Sequence, residues 1–541
     1  MPVPGWNFAD VWETIADQIP DAPAQVQADR RLTWEEFDRR ADGVARWLLD
    51  AGVERQDKVA QYLYNVPEYI ESMFGIMKAG LVPVNTNYRY ADDELLYLWD
   101  NADAVAVVFH GTFTDRIETL RGKLPGIKGW LWVDDGSGPC PEWADDYAAV
   151  AASAAGRTKP DWGRDGDDIY MLYTGGTTGM PKGVMWRQDD LFQSLSASLG
   201  GAYPPEQDLD LVKERVTASG NVGLPACPLM HGTGAFTSFG ALFGGGSIVT
   251  LPSRHFDAEE LLDAIEREKV NSVAIVGDAF AKPMLRALDA QPGRWDISSL
   301  KLIISSGVMW SEATKQGLLK HHAGMLLADQ FSSSEALGLG SSVSSASGQS
   351  RTAKFQLGAN ARVITDDGRD VEPGSGEIGI VAVKGRQPVG YYKDAEKTER
   401  TFRVIDGERY SIPGDYATVE ADGTLTLLGR GSQCINTGGE KVYPEEVEEV
   451  LKEHSAVRDA VVVGVPDEKW GEAIVAVVEP HPGDEAAVTH DAVIDHVKAR
   501  LSHFKAPKRV LVVESIGRAP NGKVDYKRWK EEAAATANLT Q

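Results

Sequence analysis

Cysteine is scarce. Cys140, Cys227 and Cys434 are the only thiols among 541 residues, and they stand too far apart for a metal-ligand spacing. That usage excludes a disulfide framework and points to a reducing, cytoplasmic compartment. Positive charge is also in deficit: 55 Lys and Arg against 80 Asp and Glu leave a formal net charge of −25. A nucleic-acid binder needs a basic footprint, and a lipid-bound chain needs a polybasic patch, so both are disfavoured. Small anions remain open, because a few cations and backbone N–H groups suffice to hold them. The opening MPVPGWNFADVWETIAD lacks a basic segment followed by an apolar one, so no signal peptide is expected. One stretch, 216–253, contains no Asp, Glu, Lys or Arg and is long enough to span a bilayer. Pro225, Pro228, His231 and the run Gly244-Gly245-Gly246 break it. It reads as a buried strand (222–227), helix (about 233–244) and strand (247–251), with no integral membrane segment.

The length implies several domains. In the first third, short apolar strands such as DKVAQYLYN and AVAVVF alternate with amphipathic helices such as RLTWEEFDRRADGVARWLLDAG. In that helix Thr33 is the expected N-cap, with Glu36 three residues on. The alternation indicates βαβ units and a largely parallel sheet. The rhythm returns in VNSVAIV, LKLIISS and GMLLAD, which suggests a second α/β lobe. From about 350 to 428, Asp-Gly pairs at 367–368, 406–407 and 422–423 punctuate alternating runs, the pattern of antiparallel hairpins. The second half of the Ser- and Gly-rich run 332–350 reads as a surface loop. The last part is small and mixed, with Pro444 in the first turn of YPEEVEEVLKEH. The expected architecture is α/β: an N-terminal region 1–430, with two lobes to about 350 and a β subdomain over 351–430. A small α+β C-terminal domain, 431–541, follows a hinge near 430–434.

The densest signal is YTGGTTGMPKGV, residues 173–184. Glycine lets N–H groups converge on one anion, threonine hydroxyls add donors, and Lys182 adds a point charge. The loop therefore suits a polyphosphate. It is not a Walker A loop, since Pro181 precedes the lysine and Gly183 follows it. Apparent strands on both sides make it a hairpin tip. In QFSSSE, Glu335 follows a strand and could hold Mg²⁺ beside a nucleotide. In YSIPGD, Asp415 could accept both ribose hydroxyls; Arg430 ends the β subdomain, and Lys523 sits on the RAPNGKVD turn. Taken singly, Glu335, Asp415 and Lys523 read better as a helix-start acid, an Asx turn and a solvated lysine, while Arg430 could serve ribose or phosphate or be a surface cation.

In order along the chain, the set resembles the adenylate-forming enzymes, among them acyl-CoA synthetases. YTGGTTGMPKGV is similar to their Y-T-S-G-T-T-G-x-P-K-G loop and CPLMHGTG to P-L-F-H-x-x-G. QFSSSE is similar to Y-G-x-T-E and PGD to T-G-D. LGRGSQCINTGGEKVYPEEVE resembles their hinge region, and APNGKVD their C-terminal P-x-x-x-G-K. The wording is nearest to bacterial fatty-acid and sterol-side-chain acyl-CoA ligases.

The resemblance implies ATP, Mg²⁺ and coenzyme A as cofactors. Thr174, Gly175, Gly176, Thr177, Thr178, Gly179 and Lys182 would wrap the β- and γ-phosphates, and Glu335 would bind Mg²⁺. Gly307, Val308, Asp329, Gln330, Phe331, Ser332 and Ser333 would line the adenine slot, with Phe331 against the ring. Ser334 would take a threonine's place near the α-phosphate. Asp415 and Arg430 would hold ribose. Lys523 would bridge the carboxylate, α-phosphate and ribose. His231 would lie near the acyl carboxylate, and Gly438, Gly439 and Lys441 where coenzyme A passes. Gly175 departs from the loop serine, Phe331-Ser332 from Tyr-Gly, Pro413 from threonine, Cys434 from the hinge aspartate and Asn436 from a common lysine.

Amino-acid-activating relatives carry an aspartate near the histidine motif, and CPLMHGTGAF has none. An apolar acid is expected: medium- or long-chain fatty, sterol-derived or aromatic. Met230, Gly232, Gly234, Phe236 and Gly277 are the expected pocket residues. The partners are then this acid and coenzyme A, with a homodimer left open. Transfer to an amine or carrier-protein thiol is the alternative within the class, and an ATP hydrolase or nucleotide sensor the alternative outside it.

Overall fold

The start of the chain shows local sequence becoming structure. Thr33 caps the helix Trp34–Asp50: its hydroxyl accepts from the Glu36 N–H at 3.2 Å, and Glu36 Oε2 accepts from the Thr33 N–H at 3.0 Å. The computed structural model describes residues 5–174, 180–197, 202–308, 310–348, 353–437, 440–467, 470–519 and 522–537.

An eight-stranded sheet forms the first lobe. Lys58–Tyr62, Val82–Asn85, Ala104–His110 and Gly129–Val133 run parallel in it. Strand side chains alternate between two cores. Val59, Val108 and Leu131 meet helices Trp34–Asp50 and Pro67–Lys78, whereas Ala60, Val107 and Phe109 meet helix Asp92–Asn101. The sheet continues into the antiparallel hairpin Ile169–Thr174/Lys182–Arg187, and Gly390–Tyr391 pairs on the hairpin's outer strand.

The second sheet has fifteen strands. Val222–Pro225, Ser247–Val249, Ser272–Ile275, Leu302–Ser306 and Leu326–Ser333 form its parallel part. The stretch 216–253 thus contains a strand, helix Gly232–Phe243 and a strand, whose residues are mostly buried. Among the described residues, no helix is long and apolar enough to cross a membrane.

The run 332–350 departs from expectation. Ala336–Ser344 is a strand, antiparallel to Leu326–Ser333 and paired also with Lys354–Leu357. It reaches into the half read as a loop. Ser342 and Ser344 are buried there, paired in the backbone ladder with Asp329 and Leu327, so side-chain polarity was a poor guide. Through Lys354–Leu357 the sheet passes into the β subdomain. There Asp406 and Gly407 both have positive φ and form the two-residue turn between Phe402–Ile405 and Glu408–Ser411.

The C-terminal part has its own five-stranded sheet. Helices Pro444–Lys452 and His490–Lys498 share a core on one face. Helix Tyr526–Ala537, which the sequence pattern did not announce, brings Trp529 and Ala533 onto the other.

Candidate active site

The phosphate-loop candidate is a hairpin, with Thr174 opposite Lys182. Its tip, Gly175, Gly176, Thr177, Thr178 and Gly179, lies outside the described residues. Asn85 anchors the base: its Nδ2 donates to Tyr173 O (2.9 Å) and Met230 O (2.8 Å), and its Oδ1 accepts from Tyr173 N (2.6 Å). One buried amide thereby ties the hairpin to the His231 loop. Lys182 Nζ pairs with Asp394 at 2.8 Å, and that hydrogen bond raises its pKa.

Ser334 and Glu335 form the turn between Leu326–Ser333 and Ala336–Ser344. Three bonds hold this turn. Trp186 Nε1 donates to Ser334 O at 2.9 Å, Ser411 Oγ to Glu335 O at 2.7 Å, and Tyr391 Oη to Glu335 Oε1 at 2.7 Å. The Glu335 carboxylate is buried, as a ligand carboxylate beside a nucleotide would be.

Asp415 and Arg430 are register partners on adjacent strands, their charges 3.4 Å apart. Asp415 Oδ2 is buried without a hydrogen-bond partner, an orphan acceptor that a ribose hydroxyl would satisfy. Burial raises the Asp415 pKa against the pull of Arg430, and Glu335 adds to the rise.

Lys523 arrives from the C-terminal part. Arg518 sets its turn, forking onto Asp459 at 2.6 and 2.8 Å and donating to Gly522 O at 3.0 Å. Ala519 N donates to Lys523 O at 2.8 Å. A Cβ on Gly522 would lie 3.0 Å from Val276 and 3.3 Å from Val308, so this turn rests against the wall that also carries Gly307. Lys523 is solvent-exposed on this turn. Surrounding protein still lowers its pKa, Arg430 lowers it further, and Glu335 opposes both. His231, half-buried at the start of helix Gly232–Phe243, feels the same charge. Burial and then Lys523 hold its pKa at about 3, so it is neutral.

Several candidates differ from the expected picture. Phe331 is not an open ring for adenine: it packs against Phe355, centroids 5.6 Å apart, in the β-subdomain core, because strand alternation turns it to that face. The Asp329 carboxylate is held by buried Lys315 at 2.7 Å, and burial raises its pKa to about 6. Gln330, Ser332 and Ser333 continue the strand, with Ser333 Oγ buried and unpartnered. Two of the small pocket residues have local reasons to be glycine. A Cβ on Gly234 would fall 2.5 Å from Pro228 O, and Gly277 has φ +57° before helix Asp278–Ala290. Gly232 faces Leu172 and Phe236, each 3.4 Å from where its Cβ would be, and Met230 is buried. The backbone of Lys441 pairs with Asn436, while Gly438 and Gly439 lie outside the described residues.

Glu335, Arg430 and Lys523 thus interact electrostatically from three separate segments. A family model described as AMP-binding enzyme matches residues 12–392, and one described as AMP-binding enzyme C-terminal domain matches residues 446–523. The chain belongs to the AMP-binding enzyme family. This AMP-binding enzyme is 41% identical to a medium/long-chain-fatty-acid–CoA/3-oxocholest-4-en-26-oate–CoA ligase of Mycolicibacterium smegmatis, over 97% of this chain and 96% of that one. It is 40% identical to a 3-oxocholest-4-en-26-oate–CoA ligase of Rhodococcus rhodochrous, over 97% and 95%. Its fold matches the anthranilate CoA ligase AuaEII in complex with anthranoyl-AMP, with TM-score 0.83, 23% identity and coverage of 100% and 99%. ATP-bound MatB from Rhodopseudomonas palustris superposes with TM-score 0.78 and 26% identity, covering 98% and 99%.

Sequence reading passed over Asn85, Trp186, Tyr391, Asp394, Lys397 and Arg518. GYYKDAEKT, residues 390–398, carried the one available signal: two aromatics followed by a short run of mixed charge.

Proposed function

We infer that this AMP-binding enzyme is an AMP-forming acyl-CoA synthetase that activates an apolar carboxylic acid with ATP and passes the acyl group to coenzyme A. A carboxylate oxygen bonds to the α-phosphorus as the bond to the β-phosphate oxygen breaks, and pyrophosphate leaves. The coenzyme A sulfur then bonds to the acyl carbon, the thiol loses its proton, and AMP leaves with the electrons of the broken C–O bond. One observation supports the first half above all: Lys523, Arg430 and Glu335 act electrostatically on one another beside the orphan oxygen of Asp415.

In this reading Asp415 and Arg430 orient ribose, and Lys523 draws the acid and the α-phosphate together. Glu335 is the residue that would hold magnesium; among the described residues no cluster of three or more His, Cys, Asp or Glu forms a protein cage. Magnesium takes one or two carboxylates plus substrate phosphates, and a single buried carboxylate fits that preference. When bound it neutralises phosphate charge. Catalysis by the chain is positioning and electrostatics, without a protein nucleophile. Neutral His231 can stand beside a carboxylate without fixing it as a salt. The acid-free stretch CPLMHGTGAF supports an apolar substrate, as do the names of the actinobacterial relatives. Residues 431–541 act as a lid whose rotation withdraws Lys523 before the thiol enters.

The test is pyrophosphate release over a panel of acids, with and without coenzyme A. Dodecanoate, hexadecanoate and 3-oxocholest-4-en-26-oate should give AMP, pyrophosphate and acyl-CoA. Formation of ADP and phosphate without any acid would refute the reading.

A further inference from the structure

The segment after the β-subdomain strand Ile378–Lys384 reaches back to the phosphate hairpin. Gly390 and Tyr391 pair with Met185 and Val184, and helix Ala395–Thr401 follows at once. That helix carries Lys397. Its ammonium lies 4.2 Å from the centroid of the Tyr391 ring, whose hydroxyl is bonded to Glu335. The neighbouring charges are Glu335, Lys182, Asp394 and Arg430. Asp394 is already engaged, accepting from Lys182 Nζ at 2.8 Å and from the Lys397 backbone N–H at 3.0 Å.

Lys397 is half-buried, and among the described residues no oxygen accepts a hydrogen bond from its Nζ. An ammonium has three donors, and partial burial without an acceptor is unfavourable. Burial accordingly lowers its pKa, with Glu335 opposing. An anion entering between Lys397 and the hairpin would relieve that cost.

The charges are also shared. Lys523 interacts with Arg430 and Glu335; Lys397 interacts with both of these and with Lys182 and Asp394. Glu335 and Arg430 thus face a cation from the C-terminal part, Lys523, and a cation from the segment that pairs with the hairpin, Lys397. If Lys523 serves the α-phosphate, the hairpin side receives the leaving group. Resting on the adenylation reading above, we propose that Lys397 is a further phosphate-contacting residue, which binds the pyrophosphate portion of ATP and the departing pyrophosphate.

The test uses the reverse half-reaction, ATP formation from dodecanoyl-adenylate and pyrophosphate, with the full-length enzyme. Lys397→Met should raise the KM for pyrophosphate roughly 10–100-fold, the loss of one charge-assisted hydrogen bond. The KM for dodecanoyl-adenylate, and its conversion with coenzyme A, should stay within about twofold. Lys397→Arg should restore most of the pyrophosphate affinity. Lys393→Met, which removes a surface cation four residues before Lys397 and paired with Asp103, should leave both half-reactions unchanged. A folded Lys397→Met enzyme with wild-type pyrophosphate KM would overturn the proposal, as would equal loss of both half-reactions or no rescue by arginine. Failure of the wild type to make ATP would overturn the adenylation reading and this inference with it.

Discussion

Tyr391 donates a 2.7 Å hydrogen bond to Glu335, although 56 residues separate them in the chain. The tyrosine sits on the strand that borders the hairpin Ile169–Thr174/Lys182–Arg187, and the glutamate on the turn of a different sheet. One hydroxyl thus aligns the proposed magnesium carboxylate with the loop that would carry the phosphates.

Tyr391→Phe removes that bond and little else, since the ring keeps its place against Phe402 and Lys397. The forward adenylation kcat/KM for ATP should fall roughly tenfold, the scale of a hydrogen bond to a charged group. A magnesium titration of pyrophosphate release should show a raised half-saturation. An unchanged magnesium requirement would remove Tyr391 from the site.

Lys523→Ala separates the halves of the reaction. Adenylation should fall by roughly 100-fold or more, typical for loss of one preorganised transition-state charge. Thioester formation from supplied acyl-adenylate should survive. Equal loss of both steps in a folded variant would contradict the division of labour between lid positions.

Glu445 should make the docking of the proposed lid sensitive to pH. It lies on helix Pro444–Lys452, against Gly429 of the β subdomain, where a Cβ would come within 2.0 Å of its Oε2. Burial, then Glu448, raises its pKa above the ordinary 4.5, with Asp415 adding to the rise and a backbone bond from Arg430 opposing. A raised carboxyl favours the docked lid fully at low pH. That contribution is lost as pH climbs above 4.5 and through the raised value. Glu445→Gln, which stays neutral, should flatten the loss of adenylation as pH climbs above 4.5 and through the raised value. A wild-type pH profile in the variant would exclude Glu445 from this role.

Lys78 is fully buried among Glu13, Asp38 and Asp42, at 3.1, 2.7 and 2.7 Å. Lys78→Met leaves three carboxylates with one fewer counter-charge, shared by Arg157 and Arg164. Removing one partner of a buried ionic group costs about 3–5 kcal/mol. The first thermal unfolding transition should drop accordingly, and a variant as stable as the wild type would show the cluster to be dispensable.

Local chemistry was legible without coordinates wherever neighbours in sequence are neighbours in space. The Thr33–Glu36 capping box, the Asp406-Gly407 turn and the strands flanking residues 175–179 are of this kind. So was the order of motifs that indicated the family. Their periodicity and spacing depend on contacts a few residues long, which the chain encodes directly.

Tertiary structure alone decided the rest. It turned Phe331 into a core residue, made a strand of Ala336–Ser344, and occupied the Asp329 carboxylate with Lys315. It also brought Tyr391 and Lys397 beside Glu335. Each outcome depends on which strand lies alongside another after long loops have closed. A side chain's partner is then set by register and packing between distant segments, and no pattern in a short window carries that information.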